Sequence, residues 1–453
     1  AAVLAAGVGD GGAARIGGFR YLRTDRFLAS FRNESLSPAQ FRFWVDRLAT
    51  LDGQARGNEL ANLPSETMRS LRAEFSERGR AAPIEASLDQ CRRSLIAADH
   101  GDPARAVALR ERVQVPDDYS QVRRFFGGYT LTKYPFAVGI RRWQDATSAV
   151  HATPLERLPI RGELVRYSPS DEPPAPHSEV TQILAAASAN PLGLPLPDAV
   201  QLNRLAATFA PILEVDVATD DDRIGHPRWA APAKIRVDTT NARLFVRTAH
   251  TRLGDRTLLQ LEYTAWFGAR PASFALDPLS GTLDGVTWRV TIGADGAPIL
   301  FDSIHPCGCY HLFFPTERAR ERPTPPGPEE FVFVPRTLER SPPGARVVVR
   351  IAARTHYIDQ VRFETTSVRP GVLYALEPYD RLTSLPLPIG DRASLFGPDG
   401  IVAGTQRLER WLFWPMGIVA PGSMRQAGRH ATAFVGRRHF DDPRLIDERF
   451  IVN

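Results

Sequence analysis

The sequence predicts an α+β protein. An N-terminal helical domain is followed by a larger, mainly antiparallel β domain, expected to be a β-sandwich. Three observations carry this. Apolar residues recur at helical spacing in several blocks before residue 127. Beyond a short helix near 199–208, the hydrophobic period changes to two. Between these regions, residues 167–176 read Tyr-Ser-Pro-Ser-Asp-Glu-Pro-Pro-Ala-Pro, a Pro-rich linker. The expected division is a flexible lead-in over 1–18, a helical domain over 19–150, a Pro-rich linker and crossover over 151–198, and a β-rich domain over 199–453.

Each helix has its own signal. Ser37-Pro38 supplies an N-cap and a first-turn proline, and Phe41, Trp44, Leu48 and Leu51 follow on one face. Ser65 opens a second helix with Met68, Leu71 and Phe75. In a third, Ile84, Leu88, Cys91, Leu95 and Ile96 form a stripe that ends at Gly101, which places Cys91 in the core. Pro103 opens a shorter helix through Val113, and 117–126 reads as another. Val200, Leu202, Leu205 and Ala206 mark the short helix that precedes the strands.

The strands alternate. Leu244, Val246 and Thr248 lead to His250. Over 258–267 one face is Leu259, Leu261, Tyr263, Ala265 and Phe267. The other is Leu258, Gln260, Glu262, Thr264 and Trp266, and its polar centre is unusual in so apolar a strand. Val286, Trp288, Val290 and Ile292 alternate with Thr287, Arg289 and Thr291. Gly293-Ala294-Asp295-Gly296 then turns the chain into a partner strand over 298–304. Later strands are expected at 331–334, 346–352 and 357–366. The tail is rich in Gly and Pro, with an apolar run at 411–414.

The chain has 453 residues, 43% hydrophobic and 24% charged, enough to bury a large core. The net charge is +5. Lys133 and Lys234 are the sole lysines, and arginines are spread along the chain among acids. That pattern argues against a nucleic-acid surface, which would show a clustered basic stripe. No apolar run is long enough to span a membrane. Three cysteines are too few for a disulfide framework. The small residues at 1–7 suggest a bacterial envelope or periplasmic location, with the cytoplasm as the alternative.

The chemistry concentrates in Ile304-His305-Pro306-Cys307-Gly308-Cys309-Tyr310-His311. His305, Cys307, Cys309 and His311 fall at every second position, so an extended segment would put all four on one face. Imidazole and thiolate together suit one transition metal ion, zinc or copper before iron. Four such residues on a straight strand span about 20 Å, so only two or three would ligate. His250, Glu262, His356, His430 and His439 stand as reserve ligands. The competing readings are a Cys307–Cys309 disulfide, a pairing with Cys91, and free half-buried thiols. The run Asp216, Asp220, Asp221 and Asp222 lacks calcium-loop order and reads as a solvated loop. Protease, serine-hydrolase, P-loop and dinucleotide signatures are absent, so no nucleotide or dinucleotide cofactor is indicated.

Leu205-Ala-Ala-Thr-Phe-Ala-Pro211 before an acidic stretch, and the apolar strand 258–267 followed by a Trp strand and a His, resemble the Vps62-like and necrosis-inducing type of β-sandwich. The resemblance covers about a quarter of the chain by count of residues and supports a sandwich alone. Those families place acidic cation ligands beside the Trp, whereas here Thr287 and Arg289 flank Trp288. The functional expectation is a metal-binding envelope protein with its site on 305–311, an oxidoreductase if it is an enzyme. The alternative is a non-catalytic scaffold binding a protein or glycan, with the two cysteines as a structural or redox disulfide.

Overall fold

The computed structural model describes residues 2–77, 82–169, 173–231, 234–365 and 371–453. Helices dominate its N-terminal region and a larger, mainly antiparallel β region follows, as the sequence predicts.

Residues 2–18 of the expected flexible lead-in are built into the fold. It holds α1 (Ala2–Ala5) and β1 (Ala14–Ile16), and β1 pairs antiparallel with β2 (Phe19–Thr24). Asp10 anchors it. Its carbonyl accepts from Arg23, and its carboxylate accepts from Asn58 and Gln426. These partners are distant in sequence, so nothing local announces them.

α2 (Arg26–Ala29) is capped by Asp25, and α3 (Pro38–Ala61) opens with the Ser37/Gln40 capping box. Trp44 is buried and donates its indole N–H to the Leu28 carbonyl at 2.9 Å. α4 (Ser65–Glu77) and α5 (Ile84–His100) follow. Cys91 is exposed, contrary to expectation. The packed face of α5 steps by four through Ile84, Leu88, Arg92 and Ile96, and Arg92 reaches Asp52 of α3 at 4.0 Å. Cys91 lies beside that row.

Next come α6 (Pro103–Arg112), α7 (Gln121–Phe126) and α8 (Tyr129–Ala152). α8 begins after Gly128 at φ +59° and runs through Pro135. It has apolar residues on more than one face, so no single stripe marks it in the sequence.

The segment 151–198 is no linker. β3 (Glu163–Ser168) is an interior strand, and α9 (His177–Ala187) buries Val180 and Leu184. Ala175 is buried and its N–H donates to Thr208 Oγ1. The prolines set an extended approach to α9, with Pro176 at its N-cap. Residues 170–172 of the Pro-rich run lie outside the described residues.

α10 (Ala199–Phe209) starts at an Asp198/Gln201 capping box and leads into β4 (Ile212–Val217). β5 (His226–Ala231) and β6 (Lys234–Asp238) make a separate hairpin. Four long antiparallel neighbours follow: β7 (Arg243–Leu253), β8 (Arg256–Arg270), β9 (Gly281–Ile292) and β10 (Pro298–Ile304). β11 (Leu312–Pro315) returns along β10, and β12 (Ala319–Glu321) pairs with Phe450–Val452. The expected strand at 331–334 is absent, although Phe313 donates to the Phe333 carbonyl. β13 (Ala345–Ile351), β14 (Ile358–Thr365), β15 (Val372–Leu373) and β16 (Ala375–Pro378) complete the main strands.

Two open sheets result, in the orders β11-β10-β9-β8-β7-β16 and β14-β13-β4-β3-β15. The pairs β4/β13, β3/β15 and β7/β16 are parallel. One hydrophobic core joins the sheets. Leu261, Tyr263 and Trp288 of the first meet Val215, Val349 and Val361 of the second within it.

The opposite face of the six-stranded sheet is polar at its centre and still buried. Arg247, Glu262, Arg289 and Asp302 lie directly across successive strands. Arg247 meets Glu262 at 3.1 Å, Arg289 lies 3.6 Å from Glu262, and Arg289 grips Asp302 with two bonds of 2.9 and 2.5 Å. The C-terminal segment covers this row. Arg289 donates to the Phe440 carbonyl at 2.6 Å and lies 3.6 Å from the Phe440 ring centroid.

Removing one partner of such a pair strands the other without solvent. Asp302→Ala is expected to lower unfolding free energy by about 3–5 kcal/mol in urea titration. The double variant Arg289→Met/Asp302→Leu should recover most of that loss.

Candidate functional site

The stretch singled out in the sequence is a turn. β10 ends at Ile304. Gly308 then donates to the His305 carbonyl at 2.8 Å, and His305 donates to that of Cys309 at 3.0 Å. Gly308 sits at φ +89° and Tyr310 at +60°. The alternate residues therefore do not share one extended face. Gly308 is required for space as well: an added Cβ would lie 2.4 Å from the Ala431 carbonyl.

Cys307 and Cys309 are buried and free. The Cys309 N–H donates to Cys307 Sγ at 3.4 Å. Contact with Cys307 and burial push the Cys309 thiol well above its ordinary range, so it stays protonated. Both pack with Met424, Leu395 and Leu283.

The two histidines of the stretch diverge. His305 Nδ1 is 3.3 Å from Asp284 Oδ1, and His311 Nε2 is 2.9 Å from Asp302 Oδ2. Burial lowers the pKa of both, to about 3 for His311. His311 therefore caps the Arg247–Asp302 row, and Glu262 is an interior member of that row.

Of the reserve ligands, His356 joins His305 through a shared carboxylate. Its Nδ1 is 2.9 Å from Asp284 Oδ2, and its Nε2 is 3.2 Å from Asp222. Its ring stacks on Phe267 with centroids 4.0 Å apart. Burial pulls the His356 pKa down, but Asp222 and Asp284 outweigh it and raise the value. Burial would raise the Asp284 carboxyl, but Arg407 at 3.2 Å and His305 hold it well below the usual range.

His430 bonds the Pro306 carbonyl at 3.1 Å, and burial lowers its pKa to about 3. His250 and His439 lie elsewhere. His250 stacks on Phe27 and bonds the Pro195 carbonyl, beside a second cavity of about 170 Å³ that Arg247 and Asp441 also line. His439 lies 3.5 Å from Asp117. Among the described residues, no three His, Cys, Asp or Glu side chains converge as a metal ligand set.

What the stretch does border is a cavity of about 490 Å³. Cys309, Tyr310 and His311 form part of its wall, and α8 closes it with Phe136, Gly139 and Trp143. Trp143 lies 5.4 Å from Tyr310 and 5.6 Å from Phe333, ring to ring. Phe331, Phe333, Tyr357, Phe413 and Phe434 add further rings to the lining. Two carboxyls and Arg438 interrupt it, with Arg438 3.9 Å from Glu330. Burial raises Glu409 to about 7 against the opposing charges of Arg407 and Arg270. Burial also raises Glu330, which accepts from the Phe434 and Val435 N–H groups. A concave apolar site with a few convergent polar groups is the usual form of a small-molecule site.

Sequence reasoning missed Asp222, Asp284, Asp302, Arg289 and Glu409. Arg289 alternates with apolar residues and so reads as solvent-facing, and Asp302 stands alone at the end of an apolar run. Only the polar centre of 258–267 hinted at a covered polar face. Asp216 and Asp222, expected in a solvated loop, are buried. Asp216 accepts from the Arg161 and Gly162 N–H groups and Asp222 from Thr219 and Arg354.

No known protein family matches the chain, including the sandwich families it resembles, and neither curated proteins nor solved structures give a match. Fold and site together define an α+β protein with a ligand-sized aromatic cavity.

Two outcomes follow. Gly308→Ala should destabilise the fold by more than about 1 kcal/mol, read as a lower urea midpoint. For His356, a raised folded pKa means its contribution is complete below the ordinary value of 6.5 and is lost as pH rises through the folded value. The gap in urea midpoint between wild type and His356→Gln should therefore shrink from acid to alkaline pH.

Proposed function

We propose that this protein binds an apolar, aromatic-sized small molecule carrying a basic group in the cavity between α8 and the 305–311 turn. The observation that carries this is the pairing of aromatic walls with the buried carboxyl of Glu409, raised to about 7, beside Glu330, which already has Arg438 3.9 Å away. A cationic end of the ligand would supply the partner that such carboxyls favour when ionised. Cys309 is protonated and His311 is held by Asp302, so neither is a ready nucleophile or base. If the protein is an enzyme, Glu409 is the group poised for proton transfer near neutrality.

The test is isothermal titration with 2-(naphthyl)ethylamine. Affinity should rise as pH increases through about 7, as Glu409 ionises. Glu409→Gln should weaken binding about tenfold and remove that pH dependence. Gly139 faces open space where a Cβ would be placed, so Gly139→Trp should fill the cavity and abolish binding without disturbing α8. Undiminished binding by Gly139→Trp would refute the reading.

A second reading keeps the transition metal, zinc or copper before iron, on the Cys307/Cys309 pair. It is favoured by two free buried thiols in one turn, with His305 at its start. Asp284 engages the His305 imidazole, so metal uptake would need the turn to open. Elemental analysis with a thiol count on the same sample tests it. One metal per chain, lost in Cys307→Ser, supports it. Three titratable thiols without metal refute it, and two missing thiols would point to the disulfide alternative. The expected bacterial envelope location belongs to this proposal, and cell fractionation tests it. No described helix is long and apolar enough to cross a membrane.

A further inference from the structure

Several large exposed apolar residues lie on α7, on α8 and at 411–412. On α7, Phe125 and Phe126 are 80% and 75% exposed, and Leu131 at the start of α8 is 76% exposed. Tyr134 and Val138 continue along α8, and Trp411 on α11 (Arg410–Phe413) is 65% exposed, with Leu412 beside it. Monomeric proteins rarely leave so much contiguous apolar surface without use.

Local packing brings these elements together. Arg124 of α7 donates to the Met416 carbonyl at 2.9 Å, and Ser120 donates to that of Gly417 at 2.8 Å. At the α7–α8 elbow, a Cβ on Gly127 would lie 2.5 Å from Pro415 Cα, so glycine lets the elbow seat against the segment after α11. Phe136 of α8 meets Phe413 of α11 with ring centroids 5.5 Å apart. Phe136 and Phe413 also line the cavity. On α8 the exposed Leu131, Tyr134 and Val138 lie on the helix face opposite Phe136, Ile140 and Trp143, so the helix turns one side to the cavity and the other to solvent.

Charge selects the occupant. From 119 to 144 the chain has no acidic residue, and Arg123, Lys133, Arg141 and Arg142 are not buried, unlike Arg124. From 410 to 440 Arg425 and Arg438 are buried and Arg429 and Arg437 pair with Asp118 and Asp117, which leaves Arg410 beside Trp411. Arg410 lies 4.7 Å from the Trp411 ring centroid and Lys133 lies 5.5 Å from that of Tyr134, so cations sit among the aromatic residues. Exposed Phe, Leu and Trp interleaved with basic residues on short helices suit the boundary between anionic headgroups and acyl chains.

We infer that the surface formed by α7, the outer face of α8, and α11 docks on an anionic lipid surface. Docking stands independently of the cavity ligand.

The experiment is co-sedimentation of the full chain with vesicles of phosphatidylcholine alone and of phosphatidylcholine with about a third phosphatidylglycerol. At low salt, partitioning onto the mixed vesicles should exceed that onto neutral ones by about tenfold and fall as salt screens the basic residues. Phe125→Ser/Phe126→Ser should lower it by about tenfold or more, with an unchanged urea midpoint because both rings face solvent. Lys133→Glu/Arg410→Glu should remove the preference for anionic lipid. Absence of wild-type binding to either vesicle overturns the inference, as does equal binding by Phe125→Ser/Phe126→Ser. Self-association that this double variant abolishes, without vesicle binding, would assign the surface to a second copy and overturn the inference too. Naphthylethylamine titration without vesicles reads the cavity separately. Its failure beside intact vesicle binding removes the ligand reading and leaves docking in place.

Discussion

The grip of Arg289 on Asp302 holds the organisation of this protein together. Both side chains are buried, and each alone would be intolerable there. The strand register places Glu262 and Arg247 beyond Arg289, and His311 beyond Asp302. The row therefore spans β7 to the turn before β11. It satisfies itself only if the C-terminal segment lies over it, since Arg289 also needs the Phe440 carbonyl and ring. A buried charge row of this kind adds little net stability compared with apolar residues of equal volume. What it fixes is register. Slipping β9 by one residue would turn Arg289 into the apolar core and Trp288 out of it.

That register places the cavity. His311 is held by the end of the row and Tyr310 precedes it at positive φ, so the ring of Tyr310 is presented to Trp143 of α8. The opposite wall comes from 409–438, the same tail that covers Arg289. Three distant parts of the chain meet here, and the sheet determines where. In this structure the residues of the turn have polar and apolar partners on every side. His305 and His356 share Asp284, His311 takes Asp302, and the two thiols pack against Met424.

Much of the fold was legible because its causes are local. The capping box at Ser37, the period-two faces of 258–267 and the turn at 293–296 each state their structure within a few residues. The failures have a common cause. The Pro-rich run at 167–176 looks like a linker until Ala175 meets Thr208, and Arg289 looks solvated until residue 440 covers it. The 305–311 stretch stood out by its residue types. Its alternate spacing was misleading because Gly308 and Tyr310 turn the chain at positive φ. Cys91 misled for a geometric reason, since a straight row of four-residue steps passes beside it.

The placement of protons decides where reactivity can reside. Burial keeps His311 and His430 neutral and Cys309 protonated, and Asp284 remains ionised against Arg407. Each of these groups is locked into one charge state over the neutral range. Glu409 is different, because its raised value of about 7 lies within that range while its side chain borders the cavity. A carboxyl in apolar surroundings that can exchange its proton at neutral pH either binds a cation in a pH-dependent way or transfers the proton. The thiols and imidazoles drew notice in the sequence because of what they can do in isolation. In the folded chain Cys309 and His311 line the cavity, and the carboxyl of Glu409 is brought to the same wall from a distant part of the sequence.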